Sequence, residues 1–143
     1  MDDGLEYYSG DGVAALARAG WFAHGVKSGD GKGNSGDRTQ AVAGRQASVL
    51  GFYDLQGNVW EWCRDAWSEN AYRYRFDGIL DPVSTTGTNR VQRGGSWFNR
   101  ATNCRASFRF GYHPVHRFRY CGFRVGLFPV PCQPEQAAKQ QRS

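Results

Sequence analysis

Few side chains in this sequence are placed to do chemistry: four thiols, three imidazoles, and a pair of carboxylates set about one turn. Cys63, Cys104, Cys121 and Cys132 include no CxxC pair, the spacing on which zinc ribbons and fingers are built, so zinc is not expected. Nor do they imply a disulfide framework. A Cys63–Cys104 bridge stays open beside the plainer reading of two half-buried thiols. His113 and His116 precede Cys121 at irregular spacing, which argues against a metal there. Asp54, Gly57, Val59 and Glu61 could bring two carboxylates and two carbonyls around one point, the hard-oxygen environment that calcium prefers; the other reading is core and turn only. In the Gly-rich run Lys27–Asp37 no Gly-Lys-Ser/Thr opens a helix, so a phosphate loop is not expected.

A different chemistry, that of contact rather than reaction, is written between Arg90 and Leu127, where eight arginines occur with no Asp, Glu or Lys. Three blocks recur between frame residues: Phe98-Asn99-Arg100, Phe110-Gly111-Tyr112 and Phe118-Arg119-Tyr120, with Phe108 and His116 standing singly. Tyr, Phe and Arg dominate contact energy in interfaces because they are large, have few rotamers, and make apolar and polar contacts together. The blocks show neither clean alternation nor helical spacing, which disfavours an ordinary core. The outward set is expected to be Phe98, Arg100, Phe108, Phe110, Tyr112, His116, Phe118, Arg119 and Tyr120, carried on a frame of Trp97, Cys104, Arg105, Arg109, Arg117, Phe123 and Arg124. So many exposed rings on one face point to a ligand-binding surface, with protein as the expected ligand.

The elements that must position these groups are modest. At 143 residues the chain is expected to form one domain over 1–128, with a disordered polar tail over 129–143. Nineteen glycines and 15% aromatic residues favour a loop-rich β or α+β domain over a helical bundle. A short helix is expected over Asp11–Ala19, with Asp11 as N-cap, Val13, Leu16 and Ala17 on one face, and Gly20 as its stop. His24–Arg45 and residues 65–90 read as surface loops. Gly51–Cys63 reads as an aromatic turn and strand, with the turn at Gln56-Gly57-Asn58. A strand is expected through Gly94-Gly95 and a closing strand over Gly122–Leu127. Net charge is +5, and only Glu135 of the acids follows Pro82, so the C-terminal half is cationic. No apolar run reaches membrane-span length and the first residues are acidic, so a soluble chain without a signal peptide is expected, its compartment unspecified.

Gly51-Phe-Tyr-Asp-Leu-Gln-Gly-Asn-Val-Trp-Glu-Trp, then Arg93-Gly-Gly-Ser-Trp, then Gly122-Phe-Arg resemble, in that order, the formylglycine-generating-enzyme (sulfatase-modifying factor) domain, a variant of the C-type lectin fold. The resemblance runs from Gly20 to Leu127. It implies a loop-rich α+β fold with small antiparallel sheets, here without the family's N-terminal third. Calcium at Asp54, Gly57, Val59 and Glu61 is also implied; no other cofactor is. Enzyme members oxidise a substrate cysteine with two cysteines, at positions that here hold Asn99 and Cys104, and one thiol cannot make a two-thiolate site. The sequence looks more like the family's binding members, the variable proteins of diversity-generating retroelements, whose Gly-Gly-Ser-Trp to Gly-Phe-Arg span, about 93–124 here, is the variable region. Adenine-directed mutagenesis there does not yield Lys, Glu, Gln, Met or Trp, and Phe98–Cys121 contains none of the five. The resemblance therefore implies no catalytic residues and a variable ligand-binding set of Phe98, Asn99, Arg100, Phe108, Phe110, Gly111, Tyr112, His116, Phe118, Arg119 and Tyr120. The alternatives are a formylglycine-generating or sulfoxide-synthase-like oxidoreductase and, from Arg interleaved with aromatics, a nucleic-acid-binding protein.

Overall fold

Helix α1 spans Gly12–Ala19 and buries Ala15, Leu16 and Ala19, with Val13 and Ala17 packed against the core. A helix this short is marginal by itself and is held by that packing. Asp11 occupies the N-cap position but its carboxylate makes no cap bond; Oδ1 instead accepts from the Glu6 amide at 2.9 Å, and Glu6 Oε2 receives the Gly12 amide at 3.2 Å. Gly20 ends the helix in an extended conformation, not a left-handed one. Glycine is required there by space, since a Cβ would lie 1.8 Å from the Gln56 carbonyl oxygen. The computed structural model describes residues 5–23, 33–72 and 83–126; the tail expected over 129–143 and parts of the loops expected over His24–Arg45 and 65–90 lie outside them.

Four strands make one sheet in the order β3-β2-β1-β4: β1 is Trp60–Ala66, β2 Arg90–Arg93, β3 Arg109–Tyr112 and β4 Cys121–Gly122. β1 and β3 each pair antiparallel with β2, with Trp62 opposite Gln92 and Gln92 opposite Phe110. β4 pairs parallel with β1, Trp60 opposite Cys121, where the sequence led to antiparallel pairing alone. The physical reason is the connection. After β3 at one edge, residues 113–120 cross to the opposite edge and enter β4 in the direction of β1, and such a crossover is what a parallel pair needs. β4 is also shorter than the expected Gly122–Leu127 strand, because Phe123 turns out to solvent and Arg124 leaves the ladder for Glu61. Because side chains alternate along strands and paired residues share a face, Trp60, Trp62, Gln92, Phe110 and Tyr112 stand on one side of the sheet.

The core lies beside the sheet. Tyr7, Leu16, Phe22, Ala101 and Cys104 pack between α1 and a one-turn 3₁₀ helix, Ala101–Cys104. Trp97, Phe22 and Leu16 are among the largest fully buried side chains, each contributing roughly 2 kcal/mol by apolar transfer. Gly94 and Gly95 follow β2 rather than continuing it, because both have positive φ, 89° and 72°. At Gly95 a Cβ would sit 2.5 Å from Cys104 Sγ, so the pair lets the loop close onto the 3₁₀ turn. That closure sends Trp97 inward and presents Phe98 at the surface of the sheet.

Candidate functional site

The crossing segment and the Gly-Gly loop bring the three blocks together. Phe98, Tyr120, Phe118 and His116 form a near-parallel stack, with successive ring centroids 5.3, 5.0 and 5.7 Å apart and interplanar angles below 10°. Tyr112 meets Phe118 and His116 edge-on at 5.1 and 4.8 Å, and through Phe110 the chain of rings reaches Trp60, which also holds Phe108 at 6.0 Å. Stacked and edge-to-face rings at these separations add about 0.5–1.5 kcal/mol per pair beyond area burial. None of these seven ring residues is buried: Phe110 and His116 are exposed, and Phe98, Phe108, Tyr112, Phe118 and Tyr120 are half-buried. All of them but His116 line, together with Trp60, Gln92, Asn99 and Asn103, a shallow groove of about 190 Å³. Burial raises the Tyr120 phenol above its ordinary range, with smaller contributions from Cys121 and Tyr112, so it stays a neutral donor at physiological pH.

Arg100 and Arg119 complete the outward set as exposed cations; the Arg119 guanidinium lies 5.0 Å from the Trp97 ring centroid. Asn99 and Gly111 are placed differently. Asn99 Oδ1 accepts from Trp60 Nε1 at 2.7 Å and closely from Ser96 Oγ, while its carbonyl receives the Ala23 amide at 2.8 Å. It ties the groove floor to the Gly-Gly loop. Gly111 sits under the Trp67 indole, where a Cβ would be 2.2 Å from Cγ. Sequence reasoning did not single out Trp60 and Gln92 as parts of this face, nor Trp67 as the support behind β3. The alternation of Trp60 and Trp62 pointed to the first, but nothing local could reveal the other two.

The frame divides likewise. Trp97 and Cys104 are buried, Arg105 and Arg109 half-buried. Arg109 donates to the Ser68 and Glu69 carbonyls and stacks on Trp67 at 4.4 Å and Tyr72 at 4.8 Å. Arg117 and Phe123, placed in the frame by sequence, lie on the surface, Phe123 with 76% of its area exposed. The short β4 explains Phe123, since a residue past the end of the ladder has no neighbouring strand to cover it, whereas Arg117 lies in the crossing segment 113–120, outside any strand.

None of the described thiols has its pKa lowered toward the thiolate. Cys63, Cys104 and Cys121 are all unbridged. Cys104 is inaccessible, and burial pushes its thiol up to about 12, the opposite of the depression that makes a thiolate nucleophile. Burial also raises Cys63 and Cys121; Cys121 Sγ receives a Gln92 Nε2–H bond at 3.2 Å, which partly opposes the shift.

The oxygen groups expected to suit calcium are only partly gathered. Asp54, Val59 and Glu61 line a cavity of about 380 Å³, whereas Gly57, at φ +87°, is packed against the Trp21 backbone and donates to the Gly94 carbonyl at 2.7 Å. Arg124 stands over Glu61, with Nη2 2.6 Å from Oε1 and Nε 3.0 Å from both carboxylate oxygens. That hydrogen bonding is the main cause of the raised Arg124 pKa. A guanidinium thus fills the position a metal would need on Glu61, and these four residues do not fit calcium in this arrangement. Among the described residues no three His, Cys, Asp or Glu side chains gather into a metal site.

Comparison with known proteins gives this arrangement its relatives. The sulfatase-modifying factor enzyme 1-like domain family matches residues 2–127, beginning well before the motifs that start at Gly51. A formylglycine-generating enzyme of Thermomonospora curvata is 35% identical over 85 residues, 56% of this chain and 28% of that protein. The serine/threonine-protein kinase Pkn1 of Chlamydia trachomatis serovar L2 is 36% identical over 89 residues, 60% of this chain and 14% of that one. The chain thus spans less than a third of the length of these relatives. Among solved structures, Treponema denticola variable protein 1 superposes with a TM-score of 0.67 at 29% identity, over 83% of this chain and 39% of that one. The architecture is the loop-rich, α+β, C-type lectin-like fold, with a small mixed sheet.

Proposed function

The chain belongs to the sulfatase-modifying factor enzyme 1-like domain family, and from that premise we propose that it is a ligand-binding member, a variable protein of a diversity-generating retroelement whose ring-covered face binds protein. The observation that carries this reading is the continuous array from Phe98 to Phe108, drawn from three chain segments onto one side of the sheet and left accessible. A surface of large rings with few rotamers suits recognition, because little entropy is lost when they are fixed against a partner. The likeness to a variable protein over most of this chain supports the same reading.

Oxidation of a peptide cysteine, the activity suggested by likeness to formylglycine-generating enzymes, finds no thiol pair at positions 99 and 104: Asn99 is hydrogen-bonded into the floor and Cys104 is sealed in the core. Two measurements test the proposal. Sequencing the DNA around the coding region is expected to reveal a near-identical repeat of the segment for residues 93–124, differing at adenines and lying beside a reverse transcriptase. Incubation with a Cys-x-Pro-x-Arg peptide, followed by mass spectrometry, is expected to leave the peptide cysteine intact; turnover would refute the binding role.

A further inference from the structure

Beyond the Phe118 ring the surface falls into a second cleft, about 390 Å³, lined by His116, Arg117, Phe118, Arg119, Trp62 and Phe123 among others. Phe118 is the wall it shares with the ring-lined groove. Among the described residues no Asp or Glu lines this cleft. Most other arginines of the segment are already engaged. Arg90 donates to the Gly87 and Asn89 carbonyls, Arg93 to those of Ala106 and Phe108, Arg109 to those of Ser68 and Glu69, and Arg124 to the Glu61 carboxylate. Arg117 and Arg119 differ: both are exposed and, among the described residues, neither is hydrogen-bonded or ion-paired. Stacking on Trp97 orients the Arg119 guanidinium without using its N–H donors.

We propose that this cleft is a carboxylate-binding subsite, in which Arg117 and Arg119 receive an Asp or Glu side chain of the bound protein while a neighbouring apolar residue of the same segment enters the ring-lined groove across Phe118. The inference rests on the reading of the ring face as the ligand surface and adds to it the chemistry of what binds. A guanidinium presents its donors as a planar fork that matches the two oxygens of a carboxylate. Nucleic acid is disfavoured by number. Affinity for a phosphate backbone grows with the number of cationic contacts, and this cleft offers two uncommitted guanidinium groups.

The test is selection of short displayed peptides of unbiased composition on the natural protein, on Arg117→Gln/Arg119→Gln, and on Arg38→Gln/Arg64→Gln, a charge-matched control of two exposed arginines outside the cleft. Peptides retained by the natural protein and the control are expected to be enriched about threefold in Asp and Glu, the scale of a partly exposed ion pair, and this enrichment is expected to vanish on the cleft variant. Enrichment in aromatic and apolar residues is expected on all three. Acidic enrichment that survives in the cleft variant, or is absent from the natural protein, overturns the subsite while leaving the ring face intact. If no peptides are selected on any of the three, the ring-face reading falls with it. Retention of mixed-sequence single-stranded DNA that is lost in the cleft variant and falls steeply with salt would overturn the assignment in favour of nucleic acid.

Discussion

Gly111 offers a sharp trial of how far this face tolerates change. It occupies the middle of β3, between two rings that face the groove, and on the other side of the strand the Trp67 indole covers its Cα. A methyl group there would meet Cγ, Cδ2 and Cδ1 of Trp67 at 2.2, 2.4 and 2.6 Å, so the ring must move. Displacing it breaks the stacking of Arg109 on Trp67 and the contact of Trp67 with Phe110 at 6.5 Å. Overpacking of this kind costs about 1–3 kcal/mol, whereas relief of glycine's chain entropy in a strand returns about 0.5–1 kcal/mol, so Gly111→Ala is expected to be destabilising on balance. For a chain of this size the net cost, at most about 2.5 kcal/mol, corresponds to a melting temperature lower by up to about 8 °C. Circular dichroism melting of Gly111→Ala, Trp67→Ala and the double variant measures it, since the cost of the methyl group should disappear once the indole is gone. His116→Ala, at an exposed ring of the same face, serves as the comparison and is expected to shift stability by less than about 1 kcal/mol. A Gly111→Ala variant as stable as the natural protein would refute the wedge, and with it the claim that position 111 is closed to larger side chains.

Two further outcomes follow from the buried thiol and the Glu61–Arg124 pair. With the Cys104 thiol at about 12 in the fold against an ordinary 9.0, nothing changes below pH 9, where both folded and unfolded chains hold the proton. Between those values only the unfolded chain releases it, so stability falls by an amount on the order of 4 kcal/mol as pH rises. Urea unfolding at rising pH, compared with Cys104→Ala, isolates that loss, and an equal pH dependence in both proteins would exclude it. At Glu61, chelation by EDTA is expected to leave the melting temperature unchanged, and Arg124→Gln to cost no more than about 1 kcal/mol, because the pair is partly exposed and screened. A drop of several degrees on chelation would instead place a metal where Arg124 now stands.

How much of this could be read without coordinates depended on whether the signal was local. The sequence alone determined the family frame, since Gly-Asn-Val-Trp-Glu-Trp, Arg-Gly-Gly-Ser-Trp and Gly-Phe-Arg are contiguous motifs, and it marked the blocks of Phe, Tyr, His and Arg by composition. It also placed α1 and the strand beginning at Trp60, each carried by its own periodicity. What only the tertiary structure decided are pairings between residues far apart in the chain. Trp67 over Gly111, Asn99 on Trp60, Arg124 on Glu61 and β4 parallel to β1 each join segments tens of residues apart. Such contacts leave no mark on local spacing or hydropathy, because they form only when the crossing segment 113–120 and the Gly-Gly loop have closed the chain onto itself. For the same reason Gly111 and Asn99 read as members of an outward block in sequence and stand, once folded, as supports beneath it.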